Sequence, residues 1–142
     1  MPYLHNPQKF MWLFVPVLLV LSVAGLRKAI DLQLHDTYLV IGLPHFGVLL
    51  SLLLVLAGGG YWLVGQQDLE PWLTATHVVL TVLACITILV TGLLYQSGAK
   101  QDFRSFQTVN RAVLWLLLVA AGSQLLFVTN VVWTFLRVRG LG

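Results

Sequence analysis

The run Pro71–Ala99, PWLTATHVVLTVLACITILVTGLLYQSGA, contains no Asp, Glu, Lys or Arg from end to end. A helix rises ~1.5 Å per residue and the hydrocarbon layer of a bilayer is ~30 Å thick, so about 20 such residues suffice to cross it. Three more stretches share this character: Phe10–Leu26, Thr37–Gln67 and Ala112–Leu136. The first is the shortest, and the second and third include loop at their ends. Hydrophobic residues make up 58% of the chain and charged residues 9%, against roughly 25% charged in an average soluble domain. An apolar excess of that size cannot be hidden inside a soluble fold this small, and lipid is the solvent that accommodates it. The fold class that follows is an all-α integral membrane protein, with four transmembrane helices in an antiparallel bundle and no room for a separate soluble domain.

The helices are expected at about residues 7–26, 44–63, 72–95 and 107–137, as a single transmembrane domain. Pro16 lies inside the first and is expected to kink it. Pro44 and Pro71 suit the first turn of a helix, where an N–H would have no partner. A tight polar turn, Gly65–Pro71, joins helices 2 and 3, and a second polar loop, Gln96–Phe106, joins helices 3 and 4. The connection of residues 27–43 is longer and carries Asp31, Gln33, His35, Asp36 and Thr37. Long connections are more often functional than short ones.

The net charge of +3 sits at the ends of the spans, in Arg27-Lys28, in Lys100, Arg104 and Arg111, and in Arg137 and Arg139. Basic side chains so placed anchor helices at the headgroups, and no nucleic-acid partner is implied. Short links make neighbouring helices antiparallel, so both termini are expected on one side of the membrane. That side carries Lys9, Arg137 and Arg139, and the other carries Arg27, Lys28, Lys100, Arg104 and Arg111. The positive-inside rule leans towards termini outside. The single cysteine, Cys85, lies mid-span and forbids an intramolecular disulfide. No cleavable signal segment is expected at the N-terminus.

Several polar groups fall within the spans. His77, Thr81 and Cys85 follow one another at i, i+4 and i+8 on helix 3, which stacks them on one face. Ser123, Asn130 and Thr134 form a stripe on helix 4, with Gln124 beside them. Such groups rarely face lipid; they either hold helix to helix or line a cofactor site or a proton path. His45 lies just inside helix 2 and is expected to point into the bundle, either as a hydrogen-bonding group or as a haem or metal ligand. His35-Asp36 is a ligand-capable pair, although two residues are too few for a metal site. Phosphate loops, Cys-x-x-Cys, His-Glu-x-x-His and serine nucleophile elbows are absent from the sequence.

Residues 31–46 read DLQLHDTYLVIGLPHF, and this stretch resembles the loop and helix of haem-copper oxidase subunit I whose typical form is D-x-x-L-H-D-T-Y-x-V-x-x-H-F-H. The resemblance continues through Ala75-Thr76-His77 at the start of helix 3 and through Gly122-Ser123-Gln124-Leu125-Leu126-Phe127-Val128-Thr129-Asn130 in helix 4. It covers roughly Asp31–Arg137, the C-terminal part of that subunit. It implies magnesium or another divalent ion at His35 and Asp36, and haem ligation by His45. A bis-histidine haem would take its second imidazole from His77 or from His45 of another protomer.

The chain departs from the family in having one histidine where the family has two. Depending on alignment, Leu43 or Gly47 replaces the other. The family's earlier helices, with the copper-binding histidines, have no counterpart, so copper is not implied and the chain cannot reduce oxygen alone. The resemblance thus implies a small haem-binding protein of respiratory electron transport in a bacterial inner membrane, working as a homo-oligomer or with other respiratory-chain subunits. Its alternative is a non-catalytic accessory or assembly subunit of a terminal oxidase that has lost its cofactor.

Overall fold

The structure, a computed structural model, describes residues 6–65, 69–95 and 103–138. Lys100 and Arg139 of the charge balance, and much of the polar loop after helix 3, lie outside the described residues. Four apolar helices run in order: α1 (Pro7–Ala24), α2 (Leu43–Val64), α3 (Pro71–Leu94) and α4 (Phe103–Val138). Each is long and apolar enough to cross a membrane. Proline stands in the first turn of α1, α2 and α3, at positions whose N–H groups a helix leaves unpaired. Pro16 lies within α1 without ending it.

Antiparallel packing follows from which residues meet. Trp12 of α1 reaches Val55 and Gly58 of α2, while Ser22 abuts Gly47. Tyr61 of α2 meets His77 of α3, and Glu70, just before α3, pairs with Arg137 near the far end of α4 at 3.2 Å. The core is built from Leu18, Phe46, Leu50, Leu54, Tyr61, Val82, Ile88 and Leu89. Large apolar residues point outwards along every helix, Leu63 and Leu94 among them, a pattern that suits lipid and not water. Trp62 and Trp72 stand exposed at neighbouring ends of α2 and α3, where an amphipathic ring sits at headgroup level. Buried positions on α4 form one narrow seam, Asn110, Val113, Ala120, Ser123, Asn130 and Thr134. α4 is therefore the outermost helix, seated on α3 along a single stripe.

Between α1 and α2 the expected polar loop is a β-hairpin, β1 (Ala29–Leu34) and β2 (Thr37–Gly42). Its register pairs Leu34 with Thr37 and Ala29 with Gly42. The strand AIDLQL alternates, so Ile30 and Leu32 are buried on the inner face while Asp31 and Gln33 turn away. His35 and Asp36 form the two-residue turn. His35 takes φ 51°, as the first central residue of a II′-type turn does and where glycine is the usual occupant.

The hairpin is strapped across one end of the bundle. Ile30 lies against Gly92 of α3, where a β-carbon would come within 2.9 Å of it. Lys28 donates to the Leu93 carbonyl in the last turn of α3, and Tyr38 packs on Phe106 of α4. Partial desolvation of this exposed side chain and the neighbouring Asp31 carboxylate push the Tyr38 phenol above its ordinary pKa. α4 starts at Phe103, earlier than the sequence suggests, and this added turn is the one that carries Phe106.

A single side chain fastens β1 to α4. The Gln33 N–H donates to Asn110 Oδ1 at 2.9 Å, and Asn110 Nδ2 donates back to the Gln33 carbonyl at 3.2 Å. The amide thus takes the place of a third strand at this point. Asn110→Ala is expected to raise amide hydrogen exchange across β1 by about tenfold, the equivalent of roughly 1.4 kcal/mol for two lost hydrogen bonds. Exchange in α2 and α3 should be unchanged; equal protection of β1 in both proteins would show that Asn110 does not secure the hairpin.

Candidate functional site: the buried histidine and its polar seam

His77 and Tyr61 are among the most deeply buried side chains, at 0% and 1% exposure. The Tyr61 hydroxyl donates to His77 Nδ1 at 2.7 Å, and His77 Nε2–H donates to Gln124 Oε1 at 3.3 Å. The tautomer with its proton on Nε2 satisfies both contacts at once. Phe127 closes one side, with its ring edge-on to Tyr61 at 4.8 Å and tilted against His77 at 5.8 Å. Gly60 makes room for it, since a β-carbon there would come within 2.8 Å of the Phe127 ring.

From Gln124 the network runs deeper into the bundle. Its Nε2 donates to the Ala120 carbonyl at 2.9 Å and reaches the Ser123 and Thr81 hydroxyls. Thr81 and Ser123 hydroxyls lie 2.7 Å apart, with further bonds to the carbonyls of His77 and Ala120. Cys85, one turn on, is buried and free. Towards the α2–α3 turn, Asn130 accepts from the Glu70 N–H at 2.9 Å and donates to the Glu70 carbonyl and the Thr74 hydroxyl. The sequence places His77 and Thr81 on a stripe of helix 3 and Ser123, Gln124 and Asn130 along helix 4; here His77, Thr81, Ser123 and Gln124 meet, and Asn130 bonds to Glu70 and Thr74 instead. Tyr61 completes the set, although nothing in the spacing along α2 singles it out.

His45 differs from its expectation. It lies in the first turn of α2 but is exposed, because the buried stripe of that helix runs through Leu43, Phe46, Gly47 and Leu50. Position 45 falls beside this stripe, so the imidazole faces away from the bundle, not into it. Among the described residues it makes no hydrogen bond. His45 and Tyr61 stand on one helix, roughly 24 Å apart along its axis at the standard rise, and Tyr61 touches His77. One haem therefore cannot join His45 and His77 of the same chain.

The residues differ in how well they suit the groups expected of them. His77 does not fit axial ligation, because both ring nitrogens are already bonded inside the protein. His45 fits as the donor of one nitrogen from the outer surface of the chain. His35 Nε2 and Asp36 Oδ2 lie 3.3 Å apart at the hairpin tip, with side chains 94% and 93% exposed. Among the described residues no three His, Cys, Asp or Glu gather as a metal site would require, so His35 and Asp36 supply at most two ligands of one. Comparison with protein families, curated proteins and solved structures found no match to this chain.

Proposed function

We propose that this protein is a haem-carrying membrane subunit of respiratory electron transfer, related to haem-copper oxidase subunit I, in which His45 gives one axial ligand and a second chain gives the other. The supporting observation is the outward-facing imidazole of His45 at the head of α2. Val48, Leu49 and Leu52 follow on the same side of the helix and are exposed, an apolar flank suited to a porphyrin edge. A haem bound there would supply one-electron transfer, with its potential set by the axial ligands and the surroundings. His35 and Asp36 would hold a divalent ion together with groups of the neighbouring subunit. The membrane is read as a bacterial inner membrane, with both termini on the same side.

The test is the optical spectrum of the protein purified from membranes, oxidised and reduced, with a pyridine-haemochrome assay. Haem is expected in the wild-type protein and in His77→Gln, and is expected to be lost in His45→Ala. Absence of a Soret band from the wild-type protein in its intact complex would overturn the proposal. A second reading, an accessory or assembly subunit without cofactor, draws support from the complete capture of His77 by Tyr61 and Gln124. It expects co-purification with a full oxidase and a His45→Ala variant indistinguishable from wild type.

A further inference from the structure

The two edges of the hairpin are treated differently. Antiparallel strands alternate between pairs that exchange hydrogen bonds and pairs whose backbone groups point outwards. Leu43 N–H donates to the Lys28 carbonyl across the base of the hairpin, and Gln33 turns its N–H and C=O out to Asn110. Outward-pointing residues are therefore Ala29, Asp31 and Gln33 on β1 and Tyr38, Val40 and Gly42 on β2, so the β1 edge carries the Asp31 charge and the β2 edge carries none. The Gln33 groups are capped by Asn110. No described residue meets the backbone N–H or C=O of Tyr38 or Val40, and both residues are exposed, at 56% and 61%.

The open strand, Thr37-Tyr38-Leu39-Val40-Ile41-Gly42, has no charge, no proline and no bulge. Those are the devices by which sheet edges ordinarily resist pairing with their own copies. We infer that the β2 edge is the contact through which two copies of this chain pair, strand to antiparallel strand, about a two-fold axis at Leu39. This goes beyond the proposed function and stands on the hairpin alone, whether or not haem is bound.

The register follows from the geometry. With the axis at Leu39, Tyr38 of each copy lies opposite Val40 of the other, so their outward N–H and C=O groups bond across the junction. On the outer face this sets an aromatic ring beside a β-branched side chain twice over, a favourable cross-strand pair. On the inner face Leu39 meets its own counterpart. Such an interface is isologous, as a two-fold requires. An unrelated partner strand would not need an edge free of like-charge conflict with itself. The neutral β2 edge sets no like charges against each other when it meets its own copy, and its Tyr38 and Val40 groups are complementary to themselves across a two-fold.

Single cysteines placed at positions 37 to 41 in a Cys85→Ala background, oxidised in native membranes, test the arrangement. Leu39→Cys is expected to give a disulfide-linked species of twice the chain mass, because the two residues form a non-hydrogen-bonded pair with β-carbons roughly 4.5–5.5 Å apart. Tyr38→Cys and Val40→Cys should link poorly, since each sits opposite a different residue of the other copy. Val40→Pro removes an outward N–H but no bond within the hairpin, and should bring the native mass down to that of a monomer with helix content retained. No linked dimer at position 39, equal linking at all five positions, linkage to a different protein, or a dimer that survives Val40→Pro would each overturn the inference.

Discussion

Replacing Gly47 with valine is expected to unseat α1 from α2 and to lower the unfolding free energy by about 3 kcal/mol, at the upper end of the cost of overpacking. A β-carbon at Gly47 would lie 2.1 Å from Ser22 Cβ and 2.6 Å from its hydroxyl oxygen. Neither atom can retreat: the Ser22 hydroxyl is bonded to the Leu19 carbonyl at 2.8 Å, and Ser22 Cβ is fixed to the α1 backbone. The helices themselves must separate, which opens the contact at Gly58, where the Trp12 indole rests. Gly59 and Gly122 supply the control, because a β-carbon at either meets nothing within 4 Å. Alanine there should be neutral or stabilising by up to about 1 kcal/mol, through helix propensity. Unfolding by a denaturing detergent from a mild micelle reads all three. Equal behaviour of Gly47→Val and Gly122→Ala would refute the close α1–α2 crossing.

His77→Leu carries the second large effect. It leaves the Tyr61 hydroxyl and the Gln124 carbonyl without their partners inside the bundle, each a penalty of about 1–3 kcal/mol for a buried group. Hydrogen bonds between membrane helices are measured at lower values, near 0.6 kcal/mol on average, so a loss of about 2 kcal/mol is expected. Tyr61→Phe removes one contact and should cost about 1 kcal/mol. The double variant should be little worse than His77→Leu alone, because residues sharing one bond are not additive. Full additivity would mean that Tyr61 and His77 act separately. A His77→Leu protein as stable as wild type would show that the histidine is not a structural hub.

Different parts of this molecule were legible in the sequence to different degrees, for physical reasons. The spans are visible because lipid forbids charge over a fixed length, and Asp, Glu, Lys and Arg mark their ends without reference to tertiary structure. The hairpin hides in plain view. Ile30-Asp31-Leu32-Gln33-Leu34 alternates with period two, but one strand's worth of alternation among polar residues also reads as a loop, and only the partner strand fixes it. His77, Thr81, Gln124 and Asn130 could be placed on stripes from helical spacing. Tyr61 could not, since its role depends on how far α2 is rotated about its axis. The same rotation decides His45. Glycine at 47 and serine at 51, small and buried, belong to the stripe facing the bundle and leave His45 outside it. Reading depth along the helix placed His45 correctly near its start, whereas reading its direction needed those small residues.

The two asparagines of α4 act as a pair. Each grips both backbone groups of one residue: Asn110 holds Gln33 in the hairpin, and Asn130 holds Glu70 at the turn into α3. At ~1.5 Å per residue their amides lie roughly 30 Å apart along the helix, which is the thickness of the hydrocarbon layer itself. α4 is thus a gauge rod clipped at two points a hydrocarbon thickness apart. In a thinner or thicker membrane the packed bundle can tilt to match, but the distance between the clips does not change, so the hairpin and the turn into α3 keep a fixed separation along α4.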